Sequence, residues 1–203
     1  MPARSNRHLP ALHVDPDLRL AFKAVNVVPV PGAPGRLGLT SCPGWHDAPV
    51  PSAATRLALA RDLAALAAAG TSMLVTLVAA AELDRIGHDA MRAACDELRI
   101  AWAHCPIPDM EIPGASFERA WALAGPQVHR RLDAGELVTL HCRAGLGRSG
   151  TVAARVLVER GLAPADAIDL VRRYQPGAIE TASQEAYVRG STPHIRQGRE
   201  ATS

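Results

Sequence analysis

Three features of this 203-residue chain predict an α/β fold, with a central, mainly parallel sheet flanked by helices on both faces. Short runs rich in Val, Ile and Leu alternate with segments of helical period from residue 52 onward. Glycine or proline punctuates most of those runs, and the last runs straight into a glycine-containing loop that opens a helix. Strands that alternate with helices pair in parallel, because each crossover returns the chain to the same end of the sheet.

The elements follow in order. Phe22 to Val30 is apolar and closes on Pro31-Gly32 and Pro34-Gly35, so it reads as an edge strand, with a second short strand at Leu37 to Thr40. Ser52 can cap a helix that carries Leu59, Leu63 and Leu66 at helical spacing, and Gly70 stands at its C-terminal end. Met73 to Val78 is a buried strand. A helix over Asp89 to Leu98 leads to a strand at Ile100 to Cys105, closed by Pro106. Ser116 to Ala134 is helical, with a break expected near Gly125-Pro126. Leu137 to Leu140 is the central strand, and three helices follow at Arg148 to Gly161, Pro164 to Tyr174 and Thr181 to Arg189.

This length suits one domain, placed at residues 18–190. Residues 1–17 and 191–203 are polar and aperiodic, and are expected to be flexible tails. Hydrophobic residues at 48% and charged residues at 21% are the balance of a globular protein. A net charge of +2 is too small for a binder of nucleic-acid backbones, so no nucleic-acid partner is expected. No apolar run reaches the ~20 residues that span a bilayer. The four cysteines, Cys42, Cys95, Cys105 and Cys142, are irregularly spaced and fit reduced thiols in a cytoplasm. Cys42 with His46, and His104 with Cys105, are weak metal-ligand spacings without a second pair, so no metal or other cofactor is expected.

The chemistry lies in His141-Cys142-Arg143-Ala144-Gly145-Leu146-Gly147-Arg148-Ser149-Gly150, between the last strand and a helix. A ring of backbone amides at a helix N-terminus binds an anion. Here Arg143, Ala144, Gly145, Leu146, Gly147 and Arg148 form it, and Arg148 adds a planar fork for two phosphate oxygens. The same field favours a thiolate at Cys142 on the loop's floor. Ser149 can donate its hydroxyl to that sulfur, and His141 can brace the loop. Chance occurrence of six such positions is on the order of one in a hundred thousand for this composition.

This run resembles the His-Cys-x5-Arg-Ser/Thr signature of protein tyrosine and dual-specificity phosphatases. Pro106-Ile107-Pro108-Asp109 is similar to their general-acid loop, and Gly177-Ala178-Ile179-Glu180-Thr181 with Gln184 to their water-positioning segment. With Leu39-Thr40-Ser41-Cys42-Pro43-Gly44, the likeness points to the kinase-associated phosphatase branch and covers roughly residues 37 to 190. It implies a dual-specificity-phosphatase-like fold, Cys142 as nucleophile and Asp109 as acid and then base. Met110-Glu111 departs from the small residues usual after the acid, and Glu111 is the reserve acid. Gln184 is expected to orient water, although Thr181-Ala182-Ser183-Gln184 also fits a capping box.

The implied substrates are phosphotyrosine or phosphoserine/threonine of proteins. Relatives' loops of this kind also serve phosphoinositides, inositol phosphates and RNA 5′ ends. Two other readings are a phosphate-binding module without turnover and a redox-sensing thiol protein, in which Cys105 or Cys95 would form a disulfide with Cys142.

Overall fold

The computed structural model describes residues 25–45 and 52–193. The two expected tails, the start of the first strand before residue 25 and His46 therefore lie, wholly or in part, outside the described residues. Five strands form one sheet in the order β1-β2-β5-β3-β4. These are β1 Asn26–Pro29, β2 Arg36–Thr40, β3 Thr71–Thr76, β4 Ala101–His104 and β5 Leu137–His141. β2, β5, β3 and β4 pair in parallel, and β1 pairs antiparallel with β2 through the tight turn of Pro31-Gly32. The chain thus has the mainly parallel sheet its periodicity predicts.

The helices are α1 Ala53–Ala68, α2 Ala80–Asp84, α3 His88–Glu97, α4 Ala115–Asp133, α5 Gly147–Glu159, α6 Pro164–Tyr174 and α7 Ala182–Arg189. They cover both faces of the sheet, and each face has its own apolar cluster. Met73, Val75, Val138 and Leu140 point toward Phe117, Val128, Val152, Ile168 and Val188 of α4 to α7. Leu74 faces Leu59, Leu63 and Leu66 of α1 with Met91 of α3. Every residue of β5 is buried, as expected for a central strand covered on both sides.

Ser52 caps α1 in a reciprocal box with Thr55: Ser52 Oγ accepts from Thr55 N at 3.1 Å, and Thr55 Oγ1 accepts from Ser52 N at 3.3 Å. Two expectations fail. α2 went unpredicted because five residues are too short to display a period; its start is held by Glu82, whose carboxylate accepts from Ala79 N at 2.8 Å. α4 runs unbroken through Gly125-Pro126. Pro126 and Ala122 are both exposed, so the carbonyl that loses its helical partner meets solvent, and Gly125 lets the helix close on Trp121.

A buried ionic cluster fastens α4, α5 and α7. Glu159 accepts from Arg155 Nε at 2.7 Å and Trp121 Nε1 at 3.2 Å, and pairs with His129 Nε2 at 2.9 Å. Arg155 in turn reaches Glu118 and the Tyr187 hydroxyl. Burial pushes the Glu159 carboxyl up, but its bonds to His129 and Arg155 outweigh this and hold it below the usual carboxylate range. Its stabilisation is therefore present above the unfolded carboxylate pKa, near ~4.3, and is lost as pH falls through the lower folded value. Glu159→Leu leaves Arg155 and His129 without their shared anion and is expected to lower unfolding free energy by about 3 kcal/mol. The variant should also lose stability less steeply between pH ~5 and ~3; urea titrations at several pH values check both effects.

Candidate active site

β5 delivers Cys142 to the carboxyl edge of the sheet, and α5 begins five residues later, so the intervening loop lies at a strand-to-helix junction. Its carbonyls are held from outside. Arg143 O accepts from Cys42 N at 3.1 Å, and Gly145 O from Gln175 Nε2 at 2.7 Å. Leu146 O accepts from Ile179 N at 3.3 Å and Gly150 N at 3.0 Å. The peptide bonds are trans, so each N–H points opposite to the carbonyl of its own plane. Tying these carbonyls outward therefore turns the amides of Ala144, Leu146 and Gly147 inward. Gly145 N donates directly to Cys142 Sγ at 3.3 Å.

Gly145 has φ +79°, and a Cβ there would lie 2.6 Å from the Thr40 carbonyl, so both backbone angle and space require glycine. Cys142 is 3% exposed, and its Sγ stands 3.5 Å from Ser149 Oγ. His141 braces the loop from below. Trp102 Nε1 donates to Thr76 Oγ1 at 2.8 Å, and that hydroxyl lies 2.7 Å from His141 Nε2. The arrangement fits a hydroxyl that donates to Nε2 and a ring whose Nδ1–H faces Cys142 O at 3.4 Å. Burial pushes His141 down to about 3. The imidazole is thus neutral at working pH and adds no titration near neutrality.

Arg148 is 2% exposed and gripped by Glu82 in a two-pronged contact of 2.6 and 3.0 Å. Ile107 O accepts from the same Nη1 at 3.0 Å. Burial opposes the guanidinium charge, but the Glu82 contact outweighs it and holds Arg148 above its ordinary range. The same contact overcomes burial at Glu82 and holds that carboxyl below the usual carboxylate range. Asp109 Oδ1 sits on Arg148 Nη2 at 2.9 Å, while Asp109 Oδ2 meets Arg143 Nη1 at 3.3 Å. With its other N–H groups committed, Arg148 has its Nε and Nη2 side left for a ligand, and Asp109 occupies part of it.

A cavity of about 60 Å³ opens over Cys142, walled by Asp109, Met110, Arg143, Ala144, Arg148, Glu180 and Gln184. The expected nucleophile, arginine, acid and glutamine therefore converge. Met110, with φ +62°, is 52% exposed at the rim. The Glu111 side chain is not part of the wall; its backbone carbonyl accepts from Gln184 Nε2 at 3.3 Å. Gln184 Oε1 accepts from Glu180 N at 2.9 Å and Thr181 N at 3.3 Å, and its own N–H bonds to Thr181 Oγ1, so the capping box and the cavity share one residue.

Burial pushes the Cys95 and Cys105 thiols up to about 12. The cysteine whose backbone touches the loop is Cys42. Among the described residues no group of three His, Cys, Asp or Glu side chains is placed to hold a metal ion, and no helix is long and apolar enough to cross a membrane.

Glu82 and Gln175 were not singled out by sequence. Glu82 lies on the short α2, 66 residues from its partner, and Gln175 follows α6, 30 residues from Gly145. No local pattern links such pairs.

A thiol beneath converging amides, with a buried arginine on the same cavity wall, is an arrangement suited to hold an anion. The family model described as "Polymorphic toxin system, DSP-PTPase phosphatase" matches residues 50–162, and the chain belongs to this family. Among solved structures, kinase associated phosphatase carrying serine for its catalytic cysteine aligns with TM-score 0.66 at 23% identity, over 82% of this chain and 93% of that one. Tk-PTP in its active form aligns with TM-score 0.58 at 27% identity, over 81% and 94%. Protein tyrosine phosphatase type IVA 3 of Bos taurus is 39% identical over 64 residues, 32% of this chain and 36% of the relative. The chain thus spans about a third of the length of the curated relatives it matches.

Gln175→Met keeps the volume but removes the donor to Gly145 O, freeing the Gly145-Leu146 peptide plane to rotate. The inhibition constant for orthovanadate is expected to rise about tenfold, the scale of one lost buried hydrogen bond of ~1.5 kcal/mol. A fall in the folded fraction alone would leave that constant unchanged, which would contradict the role assigned to Gln175.

Proposed function

We propose that this chain hydrolyses phosphate monoesters through a phosphocysteine intermediate, on phosphotyrosine and/or phosphoserine/threonine of proteins. The observation that carries the reading is the placement of Cys142 Sγ below a loop whose carbonyls are bonded outward, with Arg148 beside it. Family membership and the likeness to protein tyrosine phosphatases support it.

In the first step the Cys142 thiolate attacks phosphorus, and the inward amides with Arg148 receive the three non-bridging oxygens. The incoming phosphoryl group takes the Arg148 edge on which Asp109 now rests. Displaced from Arg148, the Asp109 carboxyl stays at the cavity wall and, when protonated, gives its proton to the leaving oxygen. In the second step water attacks the phosphocysteine, the sulfur leaves as thiolate stabilised by Ser149 and Gly145 N, and Asp109 accepts the proton. Neutral His141 takes no part in proton transfer and holds the Cys142-Arg143 peptide in place.

Turnover of para-nitrophenyl phosphate in the presence of a chelator tests the reading, with Cys142→Ser as control. Wild type is expected to release phosphate, whereas the serine variant binds orthophosphate but turns nothing over. Activity above a tenth of wild type in Cys142→Ser would place the nucleophile elsewhere. Asp109→Asn should slow alkyl and phenyl phosphates by about 100-fold or more and para-nitrophenyl phosphate far less, because only the poorer leaving groups need a proton. Rates that fall equally across a leaving-group series would contradict Asp109 as the acid.

A further inference from the structure

We infer that Met110 selects the organic group of the substrate, favouring aryl phosphates such as phosphotyrosine over alkyl ones. This rests on Cys142 and Arg148 forming the phosphate seat, and it narrows the substrate class.

Met110 holds a backbone conformation that its side chain disfavours. Glu111 N donates to Pro108 O at 3.1 Å, which closes a turn over Pro108, Asp109, Met110 and Glu111. Met110 is the third residue of that turn and has φ +62°, in the left-handed region where glycine or asparagine is the usual occupant. The backbone alone would be better served by glycine, so a long side chain at this point directs attention to what that side chain does.

The same side chain is exposed where apolar groups are scarce. Among the described residues, the large hydrophobic side chains left exposed are Leu57, Met110, Leu123 and Tyr174, and of these Met110 alone lines the cavity over Cys142. The rest of that wall is charged, amide or thiol, apart from the small Ala144. A substrate's carbon therefore has one large apolar surface to cover. Met110 N also donates to Asp109 Oδ1 at 3.2 Å, so the platform stands next to the group assigned to the leaving oxygen.

The cavity of about 60 Å³ has little room beyond a phosphoryl group, so whatever is esterified to it lies at the rim. In phosphotyrosine a ring separates the phosphate from the peptide, and the ring is what meets Met110. In phosphoserine or phosphothreonine the ester carbon is followed at once by backbone, whose amides and carbonyls gain nothing from an apolar neighbour. The methionine thioether is unbranched and polarisable, which suits it to lie against a ring face or edge.

Phenylphosphonate and methylphosphonate test this without a leaving group, because their C–P bond is not hydrolysed. As competitive inhibitors of wild type, the phenyl compound should bind about tenfold more tightly. Met110→Gly suits the turn and removes the platform, so that ratio should fall about fivefold, the scale of a sulfur–aromatic contact with the apolar area it covers. Met110→Leu restores an apolar surface and should keep most of the ratio. In turnover, kcat/KM for a phosphotyrosine peptide relative to the phosphothreonine peptide of the same sequence should fall by a similar factor in Met110→Gly; the leaving-group difference cancels because both enzymes are compared on the same pair. Equal binding of the two phosphonates by wild type, or a ratio that Met110→Gly leaves unchanged because both compounds weaken alike, would overturn the assignment. If neither phosphonate shields Cys142 of the wild type from alkylation by iodoacetate, the phosphate seat itself is misplaced, a result distinguishable from failure of Met110 alone.

Discussion

The planarity of the peptide bond governs this site. Apart from Arg143 and Arg148 the loop residues are small or apolar, so what they can offer an anion is backbone amides, and each amide is oriented by the carbonyl on the opposite side of its plane. The fold supplies an external donor for three of those carbonyls: Cys42 N after β2, Gln175 Nε2 after α6 and Ile179 N before α7. Asn26 of β1 donates to Gln175 Oε1, which fixes the amide so that its Nε2 faces the loop. The strand order follows from the same need. β2 and β3 flank β5, so the segment after β2 can reach the loop from one side, while α6 and α7 reach it from the other.

A guanidinium buried at 2% exposure is tolerable only with partners, and Glu82 holds Arg148 by both nitrogens while Ile107 O takes a third N–H. That arrangement aims the remaining edge at the cavity. Asp109 rests on that edge and on Arg143, so its carboxylate is held at the cavity wall by the same charges that the proposed function assigns to the phosphate. The ionic cluster around Glu159 does comparable work away from the chemistry, setting α5 against α4 and α7 and so fixing the helix whose first turn carries Gly147, Arg148 and Ser149.

The parts legible in sequence were those written in consecutive residues. The loop from His141 to Gly150, the strand before it and the helix after it share one stretch of chain, and hydrophobic period identified most of the remaining elements. Asp109 could be named because Pro106-Ile107-Pro108-Asp109, four consecutive residues, resembles the general-acid loop of the phosphatases. Gln184 was read with two roles, a cap and a pocket residue, and its hydrogen bonds and place on the wall include both positions. Glu82 escaped notice because α2 has too few residues to show a period, and Gln175 because a glutamine after a helix ordinarily faces water. The uninterrupted course of α4 through Pro126 depended on exposure of that turn, which period alone does not reveal.

The central claim is that the loop is already shaped for a phosphoryl group before any ligand arrives. A crystal structure with orthovanadate tests it most directly. Vanadium should bond to Cys142 Sγ, with equatorial oxygens within hydrogen-bond distance of the Ala144, Leu146, Gly147 and Arg148 amides and of the Arg148 guanidinium. Asp109 should have left Arg148, while the bonds from Cys42 N and Gln175 Nε2 to the loop carbonyls stay unbroken. Vanadate bound away from Cys142, or a loop whose carbonyls turn inward and must rotate to accept it, would contradict the account.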